Sequence, residues 1–369
     1  MNFLGQLTKK KPKSREGMPL PKDPLERNIV TTSIVSEPPR YGATPRQPMT
    51  SPVDQEEDGN PLRESRWRIP LSSFEGYVAS MQQSGSGFAE QLTELESVGT
   101  SKSAYAGKDS LNARKNAFKN IVPYDDSRVK LNADEDTCSD YINASHIRLG
   151  CGSSIGYIAS QLPTRHSLND WWRMIWEKNV VRIVLMESPK GRPKTVDIWP
   201  EEESDFCEYG RLKVQWAQWT NYKCFSTRKI FIQKEKYRRP LTLYLYTPTS
   251  LNTSTEAVTS LVNFHQFIHD EMKADKIKSA LLVCCKLGTG KTGTFICLNK
   301  VAQTLRQEGE VEIYHTLKRM REQRMQLVKT AEEYELIHLC VLYLIKRGAF
   351  PGLTTCLDKD VTASFAKDV

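Results

Sequence analysis

The chain has 369 residues, of which 39% are hydrophobic and 26% are charged, a balance typical of a soluble globular protein with one large core. No apolar run approaches the ~20 residues that a transmembrane helix needs, so we predict no membrane span. The first residues place charge after a very short apolar patch, which argues against a secretory signal. The formal net charge of +8 suits phosphorylated or acidic partners, but the basic residues are too dispersed to predict nucleic-acid binding.

Composition divides the chain into three parts. Residues 1–66 hold ten of the nineteen prolines and few aromatic residues, so they cannot bury enough apolar surface to offset the entropy of ordering. We predict a disordered, basic and proline-rich arm there, one domain over residues 67–347 and a short tail over 348–369. The nine cysteines show neither metal-binding nor disulfide spacing, which favours a reducing cytoplasmic or nuclear location and no metal or cofactor.

The segment 281–295, LLVCCKLGTGKTGTF, predicts a strand, a glycine loop and a helix in succession. Residues 280–284 form a short apolar run of the kind that a buried central strand shows. Gly288 and Gly290 favour a tight loop, and from Thr292 apolar residues recur about once per helical turn. Backbone N–H groups and the positive end of a helix dipole make such a junction a ready anion-binding site.

Two known phosphate-binding loops are built in this way. The nucleotide-binding loop G-x-x-x-x-G-K-[ST] fits at its end, but Cys285 stands where its first glycine belongs, and no downstream strand ending in a magnesium-binding Asp stands out. The tyrosine phosphatase loop is H-C-x-x-G-x-G-R-[ST]-G-T-F. The chain resembles this second loop at Cys285, Gly288, Gly290, Thr292, Gly293, Thr294 and Phe295. It departs from it at Cys284, at the pair Lys286 and Leu287, and at Lys291.

Further blocks resemble the same family in the same order. They are KNAFKNIVPYDDSRVKL at 115–131, DYINASHI at 140–147, YIASQLPTRHSLNDWW at 157–172 and VEIYHTLKRMREQRMQLVKTAEEYELI at 311–337. Because the resemblance covers about 67–345, the chain is identified as similar to the protein tyrosine phosphatases, and the nucleotide loop is excluded. The resemblance implies an α/β (α+β) fold with a large twisted mixed β-sheet flanked by helices.

The family hydrolyses phosphotyrosine without a metal: a cysteine thiolate attacks phosphorus, an Asp protonates the leaving phenol, and water releases the phosphocysteine. The resemblance places the nucleophile at Cys285, where convergent amides and the helix N-terminus favour the thiolate. It places Lys291 at the phosphate-binding Arg, Thr249 at the general-acid Asp and Lys329 at the water-positioning Gln. The Glu that supports this Arg in the family aligns with Pro189, so the Arg and its supporting Glu are predicted to be lost together. If the losses of acid and Arg multiply, the rate falls by ~10⁴–10⁷.

The residues that bind the phosphotyrosine are better retained than those that hydrolyse it. The resemblance implies that the anion contacts Lys286, Leu287, Gly288, Thr289, Gly290, Lys291 and Thr292. Phe118 replaces the family's ring-stacking Tyr, and Asn120 is a residue that the family uses beside it. We expect Lys329 to join Lys286 and Lys291 around the anion. Leu287 is larger than the usual Ala and is expected to fill part of the pocket.

We therefore predict a catalytically impaired homologue, a pseudophosphatase, that binds a phosphotyrosine-containing signalling protein or scaffolds a partner. The alternative is a slow but active phosphatase that hydrolyses phosphotyrosine through Cys285, with a distant carboxylate in place of the acid. A pocket that binds no ligand is the third possibility.

Overall fold

The computed structural model describes residues 67–133, 139–150, 156–187, 198, 206–247, 252–308 and 310–348. The predicted arm over 1–66 lies outside the described residues, as does the predicted tail beyond residue 348. Within the described ranges, no helix combines the length and the apolar character that crossing a membrane requires.

A nine-stranded mixed sheet forms the centre of the domain, with a separate antiparallel pair of two short strands. The strands are β1 (Ile69–Pro70), β2 (Arg128–Lys130), β3 (Tyr141–Ile147), β4 (Tyr157–Gln161), β5 (Arg182–Leu185), β6 (Phe206–Tyr209), β7 (Leu212–Asn221), β8 (Phe225–Lys234), β9 (Tyr237–Tyr246), β10 (Leu281–Cys285) and β11 (Glu310–Val311). The order across the sheet is β2-β3-β4-β10-β5-β9-β8-β7-β6, and β1 pairs with β11. The adjacent strands β4, β10, β5 and β9 are parallel, and the remaining pairs are antiparallel.

Helices pack on both faces of this sheet. They are α1 (Leu71–Gln83), α2 (Gly87–Glu94), α3 (Tyr105–Lys108), α4 (Leu168–Glu177), α5 (Thr255–Ala274), α6 (Gly290–Glu308), α7 (Ile313–Arg321) and α8 (Ala331–Lys346). One core lies between the sheet and α5, α6 and α8, and the other lies between the sheet and α4, where Trp171 and Trp172 are fully buried. The predicted α/β fold, a large mixed sheet flanked by helices, is confirmed.

The central strand β10 is buried on both faces. Leu281 and Val283 belong to the core with α5, α6 and α8, whereas Leu282 and Cys284 belong to the core with α4. A parallel strand covered on both faces needs a continuous apolar run, and this is the pattern that predicted it. The strand begins and ends one residue later than the sequence indicated, at Leu281–Cys285.

Four parallel strands place their C-terminal ends at one edge of the sheet. β4 ends at Gln161 and β10 ends at Cys285, and these two residues are partners in the strand ladder. β5 ends at Leu185 and β9 ends at Tyr246. Ligands bind open α/β sheets at the carboxyl ends of parallel strands, so the candidate site is expected at this edge.

Candidate active site

The phosphate loop, defined here as residues 285–292, joins the end of β10 to the start of α6. Cys285 is only 5% exposed, and its carbonyl accepts hydrogen bonds from the N–H groups of Leu162 (2.9 Å) and Gly288 (3.1 Å). The helix begins at Gly290, two residues earlier than the sequence predicted. The N–H groups of a helix's first turn have no acceptor within the helix, so those of α6 can serve an anion beside Cys285.

The two adjacent cysteines have different surroundings. Cys284 is fully buried in the core with α4, and burial raises the pKa of its thiol, so it packs as an apolar residue. Cys285 follows at the point where the chain leaves the sheet and enters the loop. Of the two thiols, only Cys285 is at the position that a loop-bound anion would contact.

Gly288 permits the turn of the phosphate loop. Its φ is +66°, in the left-handed region, and a Cβ at this position would lie 2.5 Å from the carbonyl oxygen of Ser160 and from the backbone nitrogen of Gln161. A side chain therefore meets both a strained conformation and the backbone of β4. The loop lies directly against the end of that strand.

We expect Gly288→Ala to lower the free energy of unfolding by about 3 kcal/mol or more, because the backbone of β4 cannot move aside without disrupting the sheet. Gly210→Ala is the matched control: Gly210 has φ +61°, but nothing lies within 4 Å of its would-be Cβ. That variant should lose about 1 kcal/mol, the cost of the left-handed conformation alone. Denaturant unfolding measures both, and equal losses would contradict the contact with β4.

Arg324 supports the phosphate loop from its buried side. Nε donates a hydrogen bond to the carbonyl of Gly288 (2.7 Å) and Nη2 donates to that of Leu287 (3.1 Å). The same guanidinium donates to Asn143 Oδ1 (2.8 Å) and to Ser145 Oγ (3.2 Å) on β3. The side chain is fully buried, and burial lowers the pKa of Arg324 to about 10, so the residue stays charged at neutral pH. A positive charge therefore lies directly behind the loop, and the hydrogen bonds that it donates all go to neutral acceptors.

The aromatic residue predicted to stack on a substrate ring is positioned through Gln161. The side-chain oxygen of Gln161 accepts a hydrogen bond from the N–H of Ala117 (3.0 Å), and Gln161 is the ladder partner of Cys285. The next residue, Phe118, is 44% exposed, and Lys286 Nζ lies 5.4 Å from the centre of its ring, a cation–π distance. The structure thus brings Phe118 to the phosphate loop.

Glu187, two residues after β5, provides a carboxylate beside Lys291. The resemblance to the family had predicted that this supporting carboxylate is missing. Its Oε2 lies 3.3 Å from Lys291 Nζ, and its Oε1 accepts a hydrogen bond from the N–H of Lys286. Pro189, which was aligned with the family's Glu, lies outside the described residues. The prediction that the carboxylate was lost together with the Arg is therefore wrong.

Two of the three lysines predicted to surround the anion contact another group through their side chains. Lys286 lies over the aromatic ring, and Lys291 forms an ion pair with Glu187. Lys329 is exposed, and its backbone N–H donates to Glu333 Oε2 (2.7 Å). The charges of Lys329 and Lys291 also act on Glu333, although burial is the larger effect and raises its pKa above the ordinary value. Glu187 is thus paired with Lys291, and a second carboxylate, that of Glu333, is influenced by the charges of Lys291 and Lys329.

For the other predicted site residues, the structure gives the exposure of their side chains, and one of them is not described. Thr289 and Thr292 are fully buried, and in the described part of the chain neither hydroxyl has a hydrogen-bond partner. Asn120 is exposed on the same turn as the aromatic residue, and Leu287 is half-buried. Thr249, at the general-acid position, lies outside the described residues and stays a prediction.

Sequence reasoning missed three residues of the site. Glu187 was missed because the comparison was aligned on the following Lys-Gly pair, although a carboxylate directly after a buried strand end was visible. Arg324 lies inside a matched block but was not assigned a role. Glu333 was signalled by the pattern Thr-x-x-Glu before an apolar run, which marks a helix start.

The comparison with known families agrees with this geometry. A family model described as protein-tyrosine phosphatase matches residues 112–343, which include the aromatic residue, Glu187, the phosphate loop and Glu333. The chain belongs to the protein-tyrosine phosphatase family.

Several curated relatives are receptor-type enzymes. The chain is 32% identical over 287 residues to receptor-type tyrosine-protein phosphatase eta of Homo sapiens, which covers 75% of this chain and 21% of the relative. It is 33% identical over 303 residues to the human zeta protein, covering 75% and 13%, and 29% identical over 287 residues to the human H protein, covering 76% and 26%. The chain thus spans about a quarter or less of the length of these relatives.

Proposed function

We propose that this protein is a catalytically impaired member of its family that binds a phosphotyrosine-containing protein in a reducing compartment, the cytoplasm or nucleus. The observation that carries the proposal is at the phosphate loop. The strand, the glycine turn and the helix start are those of an anion site, and the cation at its helical end is Lys291, whose ammonium is paired with Glu187.

Impaired catalysis follows because groups that the reaction needs are replaced in this chain. An Arg holds two phosphoryl oxygens with its planar fork, whereas the ammonium of Lys291 is a point charge and cannot reproduce that geometry. Thr249 cannot donate a proton at neutral pH, so no general acid protonates the departing phenolate. Lys329 replaces the amide that positions the attacking water. Together these changes are expected to lower the rate by ~10⁴–10⁷.

Phosphotyrosine binding is supported by groups that do not depend on turnover. The first turn of α6 offers N–H groups and the positive end of its dipole, and Arg324 adds a buried positive charge behind the loop. Phe118 is 44% exposed next to Lys286 of the phosphate loop, which leaves part of its ring available for the phenyl group. Cys207, Cys224 and Cys297 are unbridged, in accord with a reducing compartment.

Isothermal titration of the full chain with a phosphotyrosine peptide and with its unphosphorylated twin tests the binding. We expect heat of binding from the phosphorylated peptide only, since the anion supplies the contacts with the loop. Inorganic phosphate should compete with the peptide. Equal heats from the two peptides would contradict the proposal.

The second candidate, a slow phosphatase, is favoured by one observation: Glu187 pairs with the cation at position 291, as the resemblance implies for the Glu that supports the family's Arg. Hydrolysis of the phosphotyrosine peptide by the unaltered chain and by Cys285→Ser separates the two candidates. Turnover that exceeds the Cys285→Ser background would favour the slow enzyme.

A further inference from the structure

A carboxylate from α8 lies at the start of α6. Glu333 is in the first turn of α8, where its Oε2 accepts hydrogen bonds from the N–H groups of Lys329 (2.7 Å) and Thr330 (3.3 Å). The N–H of Glu333 in turn donates to Thr330 Oγ1 (3.2 Å), which completes a capping box. These hydrogen bonds fix the carboxyl group in one orientation.

The same carboxyl group reaches the phosphate loop. A Cβ on Gly290 would lie 2.8 Å from Glu333 Oε2 and 2.9 Å from its Cδ, so the carboxylate fills the space beside the first residue of α6. Two cations act on it, Lys291 from α6 and Lys329 from the segment before α8. Lys291 is also paired with Glu187, from the loop after β5.

We propose that Glu333 lowers the affinity of the phosphate loop for anions. Its ionised carboxylate attracts the charges of Lys291 and Lys329 and repels a dianion at the start of α6. The inference rests on the proposed function, because it assumes that the loop is the anion-binding site. It adds that this chain has a built-in acidic group that weakens, without abolishing, the binding of a phosphoryl dianion.

A phosphoryl dianion at the helix N-terminus gains from the dipole and from the lysines, but Lys291 is already paired with Glu187. The dianion also meets the like charge of Glu333 across a part-buried space, where screening by water is weaker than at the surface. Removing that one charge should tighten anion binding about tenfold or more.

A lower pH should also tighten anion binding. Burial raises the pKa of Glu333, and the backbone N–H groups and both lysines only partly offset the effect. As the pH falls, Glu333 therefore takes up a proton before an exposed Glu does. The neutral form no longer repels the anion and leaves the lysines available, so the affinity should rise. Sulfate is the suitable probe because its own charge stays constant where phosphate would be protonated.

The test is Glu333→Gln, compared with Glu332→Gln. A glutamine at position 333 can still accept the capping hydrogen bonds, so the variant removes the charge and keeps the helix start. Glu332 is the exposed neighbour in the same helical turn, and its substitution makes the same change in net charge. Thermal unfolding of the three proteins establishes that each is folded.

Two ligands are titrated into the full chain: a phosphotyrosine peptide at about pH 7.5, and sulfate at about pH 7.5 and again at about pH 5.5. We expect Glu333→Gln to bind the peptide about tenfold more tightly than the unaltered chain, with Glu332→Gln unchanged. Sulfate should bind the unaltered chain more tightly at the lower pH, and this gain should be absent in Glu333→Gln.

The outcomes separate this inference from the proposed function. If the unaltered chain and Glu333→Gln bind the phosphopeptide equally well, the proposed function stands and the role of Glu333 is overturned. A pH effect on sulfate that persists in Glu333→Gln overturns it as well. If neither protein distinguishes the phosphorylated peptide from its unphosphorylated twin, both the proposed function and the inference fail.

Discussion

Combining Thr249→Asp with Lys291→Arg is expected to raise the rate of phosphotyrosine-peptide hydrolysis by about 10³-fold or more. The aspartate supplies a proton donor for the leaving phenolate, and the guanidinium supplies the planar fork that the ammonium lacks. Glu187 is already placed to hold the new guanidinium, because it lies 3.3 Å from the present ammonium. Measurement of kcat/KM for both single variants and the double variant gives the gain.

Two controls make this result specific. The double variant combined with Cys285→Ser should return to background, because the gain must pass through the thiolate. The benefit of Thr249→Asp should also be smaller for p-nitrophenyl phosphate than for the phosphotyrosine peptide, since a better leaving group needs less help from an acid. Equal benefit for the two substrates would contradict the assignment of position 249 to the acid.

Arg324→Met is expected to lower the free energy of unfolding by about 3–5 kcal/mol. The variant would leave the carbonyls of Leu287 and Gly288 and the side chain of Asn143 buried without their hydrogen-bond donor. Arg319→Met is the control on an exposed face of α7, where we expect a change within about 0.5 kcal/mol. Denaturant unfolding of both variants measures the difference.

The same variant should also lose phosphotyrosine-peptide binding under conditions where it is still folded. Arg324 holds the carbonyl side of the phosphate loop, and its removal frees the loop to leave the conformation that faces an anion. It also removes the buried positive charge behind the loop. Undiminished binding by a folded Arg324→Met protein would contradict this role.

The local order of strand, glycine loop and helix could be predicted from the sequence because each part has a short-range signal. A continuous apolar run indicated β10, and closely spaced glycines indicated the loop. The helix start was placed two residues late, at Thr292, because Gly290 and Lys291 carry no apolar periodicity. Their helical conformation depends on the surroundings: a side chain at Gly290 would overlap Glu333, a residue 43 positions further along the chain.

Contacts between distant segments were the part that could not be predicted. The pairing of Glu187 with Lys291 joins the loop after β5 to the start of α6, and β5 and β10 are neighbours only in the folded sheet. Alignment to the family pattern put the family's Glu opposite Pro189, two positions after Glu187. A shift of the alignment within a loop changes the assigned residue without changing the match on either side. The structure identifies the partner by distance instead.

Hydrolysis of a phosphotyrosine peptide by the full chain and by Cys285→Ser, with peptide binding followed in the same samples, tests the central claim most directly. The account predicts that both proteins bind the phosphorylated peptide in preference to its unphosphorylated twin and that their phosphate release is equal. Repeated turnover by the unaltered chain that disappears with the Cys285 sulfur would contradict it.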